Sequence, residues 1–182
     1  RRVLEVRKRV LGETDLDTLN TGNLLAWILN RLQKDDEALP TCRTVLEARK
    51  RVLGKDHRDT LYSGHLLAQI LYGIQKYDEA LPTCRRVLEA RKRVLGEDDL
   101  DTLNTGHLLA QNLNTLEKDD EVLPICRRVL EARKRVLGED DLETLNTGNL
   151  LAWILYGLQK YDKAFITCRK VLEAQKRVLG KY

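Results

Sequence analysis

Four cysteines, three histidines and a single serine, Ser63, hold most of the nucleophilic or metal-binding potential of this chain. Their spacing restricts what they can do. Cys42, Cys84, Cys126 and Cys168 recur every 42 residues. In stacked helical units such equivalent sites lie about 8–10 Å apart or more, beyond the ~7 Å Cα separation that a disulfide tolerates. No cysteine has a second cysteine or a histidine at zinc-ligand spacing. The four therefore read as reduced core thiols, which fits a cytoplasmic home. His65 and His107 fall one unit apart with no third ligand or carboxylate beside them, and read as ordinary polar surface residues; His57 falls in a loop and reads as solvated. No base accompanies Ser63, and no glycine-rich phosphate loop or paired carboxylates occur. The expectation is a protein without catalytic, cofactor or metal residues, and not an enzyme.

The 42-residue interval also governs Gly12, Gly54, Gly96, Gly138 and Gly180. A fixed period of this length marks a solenoid, in which no unit buries its own apolar face alone. We read residues 1–182 as one repeat array: a partial second helix at 1–11, repeats at 12–53, 54–95, 96–137 and 138–179, and a tail at 180–182. The composition is helical, rich in Leu, Ala, Arg, Lys and Glu, with three Pro, one Phe and no Met. The missing Met and the mid-helix start suggest a fragment of a longer protein. No stretch approaches the ~20 apolar residues of a membrane span, so no membrane partner is expected.

Each repeat holds two helices. Helix A is predicted from Asp17 to Leu32, with Asp17, Asp59, Asp101 and Glu143 as capping residues. Leu25, Ala26, Leu29 and Leu32 form one apolar stripe and Leu24 with Ile28 a second, so helix A should pack between its own partner and the second helix of the preceding unit. Helix B follows, with Asp36, Asp78, Asp120 and Asp162 as caps, Pro40, Pro82 and Pro124 in its opening turn, and Ala38, Leu39, Cys42, Val45, Leu46, Val52 and Leu53 on its apolar side. Gly54, Gly96 and Gly138 end it in a place that favours a left-handed residue.

The runs Arg49-Lys50-Arg51, Arg91-Lys92-Arg93 and Arg133-Lys134-Arg135, on a chain of net charge +4, raise nucleic-acid binding as a weaker alternative. Acidic helix starts such as Glu97-Asp98-Asp99 follow each run, so the signs alternate and complement helix dipoles. A phosphate-binding face would segregate them.

The string Lys76-Tyr77-Asp78-Glu79-Ala80, between Leu67-Ala68 and Val87-Leu88-Glu89, resembles a tetratricopeptide repeat. The 42-residue period, His57 to Leu61 and the closing Val94-Leu95-Gly96 are similar to the kinesin light chain type. This resemblance implies an all-α fold, a right-handed α-α superhelix of about four helix-turn-helix repeats plus an N-terminal half-repeat helix. It also implies a protein-protein interaction scaffold that binds a peptide or helix of a partner in a concave groove lined by helix A. Carried over, the groove rows are Asn20, Asn23, Trp27, Asn30 and Arg31; Tyr62, His65, Gln69, Tyr72 and Gly73; Asn104, His107, Gln111, Asn114 and Thr115; and Asn146, Asn149, Trp153, Tyr156 and Gly157. Trp27 and Trp153 serve either as binding anchors or as packing against the next helix A.

The chain departs from the family in three places. Gly22, Gly64, Gly106 and Gly148 stand where a bulky residue is usual, which implies close approach to a neighbouring helix. Cysteine replaces Tyr or Phe in helix B, and Gln33, Gln75, Glu117 and Gln159 replace the turn glycine. An alternative function is head-to-tail self-association through the end helices, with Leu172, Val178 and Leu179 uncovered on the last one.

Overall fold

The computed structural model describes residues 1–180, without the side chain of Leu179. Helices and short turns account for the described residues, with no strand among them. Two compact units divide the chain, 1–94 and 95–182. The first holds α1 (Arg2–Leu11), α2 (Leu16–Arg31), α3 (Asp35–Leu53), α4 (Arg58–Gly73) and α5 (Tyr77–Leu95); the second holds α6 (Leu100–Thr115), α7 (Asp119–Leu137), α8 (Leu142–Gly157) and α9 (Tyr161–Leu179). The A helices are α2, α4, α6 and α8, and α1 is a shortened B helix.

Packing follows from the apolar stripes. In the first unit α3 lies against both α2 and α4, and in the second α7 lies against both α6 and α8. Ala26, Leu29, Ala38, Cys42, Leu46, Leu66, Ile70 and Leu71 form one buried cluster of the first unit. A helices also touch one another directly, α2 with α4 and α6 with α8. That contact accounts for the second stripe: Leu66 and Ile70 of α4 are buried, whereas their equivalents Leu24 and Ile28 of α2 are exposed.

Helix starts differ from the sequence reading. Asp15, Asp99 and Asp141 cap the A helices, each carboxylate accepting from two backbone N–H groups, and His57 caps α4 through Nδ1, 3.2 Å from the Asp59 nitrogen. Asp17, Asp59, Asp101 and Glu143 sit two residues later, inside the helix, where their charge faces the positive end of the dipole. The residue preceding the helix has the extended backbone that lets a side chain fold back over the first turn. The B helices begin at Asp35, Tyr77, Asp119 and Tyr161, one residue ahead of the expected aspartates. Lys34, Lys118 and Lys160 precede three of them without a side-chain cap. Pro40 is consequently one turn too deep to replace an N–H that lacks a partner in any case. It removes the bond to the carbonyl of Asp36, which is exposed.

Two further positions depend on unusual backbone. Gly54, Gly96 and Gly138 have φ of 90°, 97° and 95°. The ψ of 159° at Gly54 and 165° at Gly138 places those two in the extended glycine-only region rather than the left-handed helical one. Gln33, Gln75, Glu117 and Gln159 do take the left-handed conformation, at φ of 51° to 61°, despite carrying side chains.

The helix A glycines have a packing cause. A Cβ on Gly22, Gly64 or Gly148 would stand 2.7, 2.8 or 2.6 Å from Cγ2 of Val45, Val87 or Val171 in the partner B helix.

Candidate functional site

The first residue of each basic run is not a solvated charge. Arg49, Arg91 and Arg133 are 4%, 1% and 1% exposed. Each leaves its B helix on the face turned inward by the helical period. Arg49 donates through Nη1 to the Asp59 carbonyl and the Ser63 hydroxyl, each at 2.8 Å, and through Nη2 to Asn20. Arg133 repeats the pattern on the Glu143 carbonyl at 2.8 Å, Thr147 at 2.6 Å and Asn104 at 2.5 Å. Arg7 of α1 begins it, on the Asp17 carbonyl and Thr21. A guanidinium has enough donors in one plane to hold two A helices at once, which a lysine could not do. Burial pulls the Arg49 and Arg133 pKa values down and the carboxylates of Asp59 and Glu143 push them back up. At position 175 the last repeat carries Gln instead.

Five of the six remaining members of the runs are paired. Lys50, Lys92 and Lys134 meet Glu47, Glu89 and Glu131 one turn earlier. Arg93 and Arg135 reach Asp56 and Asp98, as Arg177 reaches Asp140. A phosphate-binding stripe would need these cations unengaged.

The clamps use part of the expected groove rows. Asn20 and Asn104 are exposed but accept from Arg49 and Arg133. Asn23 is 5% exposed, and its Oδ1 accepts from Ser63 at 2.7 Å. His65 is also buried, with a pKa pulled down to about 3 by burial and by Arg91. His107 stands 3.2 Å from the Thr147 hydroxyl, its pKa brought to about 4 by burial and by Arg133. His65 is thus a neutral buried group and His107 a neutral half-buried one, rather than ordinary polar surface. Asn146 is exposed and Asn149 half-buried.

Tyr62, at the position of Asn20 and Asn104, is 42% exposed. The rest of the open surface lies further along helix A, where Trp27 is 42% exposed, Trp153 69% and Tyr156 58%. Gln69, Asn114, Arg31, Gly73, Thr115 and Gly157 are exposed, while Asn30, Tyr72 and Gln111 are half-buried. The Arg31 guanidinium lies 5.9 Å from the Trp27 ring centroid. Trp153 meets Tyr156 edge-on at 6.2 Å, and Tyr156 meets Tyr161 at 5.6 Å.

Sequence reasoning missed two grooves at equivalent places between successive B helices. One, of about 450 Å³, is floored by Leu19, Gly22 and Leu25 between Leu4 and Val45. The other, of about 470 Å³, is floored by Leu145, Gly148 and Leu151 between Leu130 and Val171. The glycine-valine contacts that draw helix A against its B helix were the available signal. The cysteines also divide: Cys42, Cys84 and Cys126 are buried, and Cys168 is exposed rather than in the core. In α3 the equivalent surface is covered by α4, with the Cys42 thiol 3.5 Å from the Ser63 carbonyl.

Comparison with known proteins agrees on the repeat. Sequence profiles described as tetratricopeptide repeat match residues 18–59, 60–123 and 107–177. No curated protein matches the chain. Among solved structures, one similar fold is that of the nearly identical TPR-like repeats of a Podosopora anserina protein assigned to the kinesin light chains, with TM-score 0.82 and 18% identity over 97% of this chain and 84% of that one. Another is BtubC (BKLC) from P. vanneervenii, with TM-score 0.83 and 18% identity over 91% and 66%. A third is MamA of Desulfovibrio magneticus RS-1, with TM-score 0.72 and 17% identity over 97% and 84%. At such identities the likeness is one of fold.

Proposed function

Because this chain belongs to the tetratricopeptide-repeat family, we propose that it is a non-enzymatic scaffold that binds a peptide or helix of a partner protein along its A helices. The observation that carries the reading is the exposure of Trp27 on α2 and of Trp153 and Tyr156 on α8, where Leu145, Leu151, Ile154 and Leu155 beside them are buried. Aromatic side chains left open bring large contact area at small entropic cost, and anchors of this kind dominate binding energy. Asn20, Asn23, Asn104, His65 and His107 take a different role, as supports that hold the A helices in register. The binding surface is then the C-terminal half of each A helix. No helix among the described residues is long and apolar enough to cross a membrane, and thiols kept apart in separate repeats accord with a cytoplasmic location.

The test is a peptide selected by display against the whole chain, followed by alanine replacement. Trp27→Ala, Trp153→Ala and Tyr156→Ala should each cost about 1 kcal/mol or more of affinity where the residue is an anchor. Arg86→Ala, on the exposed side of α5, should cost nothing measurable. Unchanged affinity in all three aromatic variants, with circular dichroism intact, would discard the surface.

One observation favours a second reading, self-association. α9 exposes Phe165 (68%) and Leu172 (51%) on the surface whose equivalents in α3 and α7 are covered by the next A helix. Light scattering over a wide concentration range, with and without Leu172→Lys, decides it; a mass that rises and is returned to one chain by the substitution supports stacking. Leu179, expected to share that surface, has a side chain outside those described.

A further inference from the structure

Two positions of the repeat vary together. The first and third repeats carry Asn30 with Asp35 and Asn114 with Asp119; the second and fourth carry Tyr72 with Tyr77 and Tyr156 with Tyr161. In both tyrosine repeats the rings meet edge-on across the turn between helices A and B, at 5.4 Å and 60° in one and 5.6 Å and 64° in the other. Only the fourth adds a tryptophan, with Trp153 and Tyr156 at an interplanar angle of 85°. Trp153, Tyr156 and Tyr161 thereby make a run of three rings, each more than half exposed.

The first repeat shows what a ring at this position accepts. Arg31 follows Trp27 by one helical turn and lays its guanidinium over the indole. The same position in the fourth repeat is Gly157, so α8 supplies no such cation to Trp153. A Cβ built on Gly157 would meet nothing within 4 Å, which leaves the space beside the ring open. The negative face of an indole attracts a cation most strongly when that cation is easily stripped of water.

We propose that Trp153, with Tyr156 and Tyr161, binds an arginine side chain of a partner protein in the place that Arg31 holds over Trp27. The proposal rests on the reading of helix A as the binding surface and names the partner's chemistry. Lys160 and Lys163 flank Tyr161, and Asp162 offsets one of them. Net charge therefore does not draw a cation in from a distance, and recognition depends on ring contact. A planar, weakly hydrated guanidinium gains more from such contact than the compact, strongly hydrated ammonium of lysine.

The probe is a fluorescently labelled, end-blocked Gly-Arg-Gly-Arg-Gly peptide titrated by anisotropy into the full chain, beside its citrulline and lysine counterparts. The arginine peptide should bind most tightly, and Trp153→Ala should weaken it about three- to tenfold. Gly157→Arg, which recreates the Trp27–Arg31 pair within α8, should weaken it by a similar factor without altering the fold. Arg31→Gly should instead add a second site on Trp27. Equal binding of the citrulline peptide overturns the cation assignment. Arginine binding that ignores Trp153→Ala and Gly157→Arg overturns the location. Failure of all three peptides overturns the arginine proposal alone, because the display-selected ligand tests the helix A surface separately.

Discussion

Burial changes the reactivity of side chains that look alike in the sequence. Burial pushes the thiols of Cys42, Cys84 and Cys126 up to about 12, while Cys168 is open to solvent. An aromatic disulfide reagent at neutral pH should therefore titrate one thiol rapidly in the folded chain and four in denaturant; two or more fast thiols would contradict the packing of the repeats. The imidazoles make a prediction of opposite character. His65 and His107 titrate near 3 and 4 in the fold, against about 6.5 in an unfolded chain. Between those values the unfolded chain takes up protons that the fold refuses. Their contribution to stability is whole above about pH 6.5 and falls as pH drops through this window, by up to about 1.4 kcal/mol per pH unit for each histidine. Urea midpoints measured from pH 7 to pH 4.5 should fall less steeply for His65→Gln than for the parent, and parallel curves would assign the acid sensitivity to other groups. The burial of three thiols was legible in the sequence and the exposure of Cys168 was not; nor was the behaviour of the imidazoles, because His65 and His107 lie on a polar-looking stripe. Their burial comes from the clamp residues around them, which belong to other helices.

At the scale of the helix, the period and the glycines were enough to read the order of A and B helices, while the boundaries needed the backbone. Asp15 and Asp17 are both capping residues by type. Only the extended conformation of Asp15 shows which one folds back onto the N–H groups of Asp17 and Thr18. The turn between the helices shows the same limit, because a glutamine gives no sign that it will adopt a left-handed backbone. Gln75, at φ of 61°, holds a conformation that costs a residue with a Cβ about 1–2 kcal/mol. Gln75→Gly relieves this and gives back part of the gain through the freer unfolded chain. A net stabilisation of about 1 kcal/mol is expected in denaturant unfolding, and a loss would mean that the glutamine side chain holds the turn. Gly64 tests the helix contact. Its added Cβ would stand 2.8 Å from Val87, so Gly64→Ala should cost about 1–3 kcal/mol. Combined with Val87→Ala it should cost less than the sum of the two single changes.

For the whole chain, the repeat architecture was readable because four near-copies fix the period, but the residues that join the repeats were hidden in a charge run. Arg49-Lys50-Arg51 looks uniform, and the helical period turns only its first member inward, onto a neighbouring A helix that the linear sequence does not place. The candidate surface was half-legible for the same reason: Trp27 and Trp153 remain open, whereas Asn20 and Asn104, about two turns earlier in the repeat, are engaged by the buried arginines. Repeat proteins of this kind distribute stability over nearest-neighbour contacts, so the loss of one clamp should be felt locally. Arg133 touches α6 through Asn104 and α8 through Glu143 and Thr147. Arg133→Met keeps the length of the side chain and removes every donor, leaving the buried Thr147 hydroxyl and the more open Asn104 and Glu143 oxygens without it. The expected cost is about 2–4 kcal/mol, on the scale of charge-assisted hydrogen bonds with some mutual compensation. Hydrogen exchange should show where that loss falls. Amides of α6, α7 and α8 should lose protection while those of α2, α3 and α4 keep theirs, and Arg49→Met should give the reverse. Equal loss throughout in both variants would mean that the chain unfolds as one cooperative block, and that the clamps act on the whole array rather than on the two A helices each one holds.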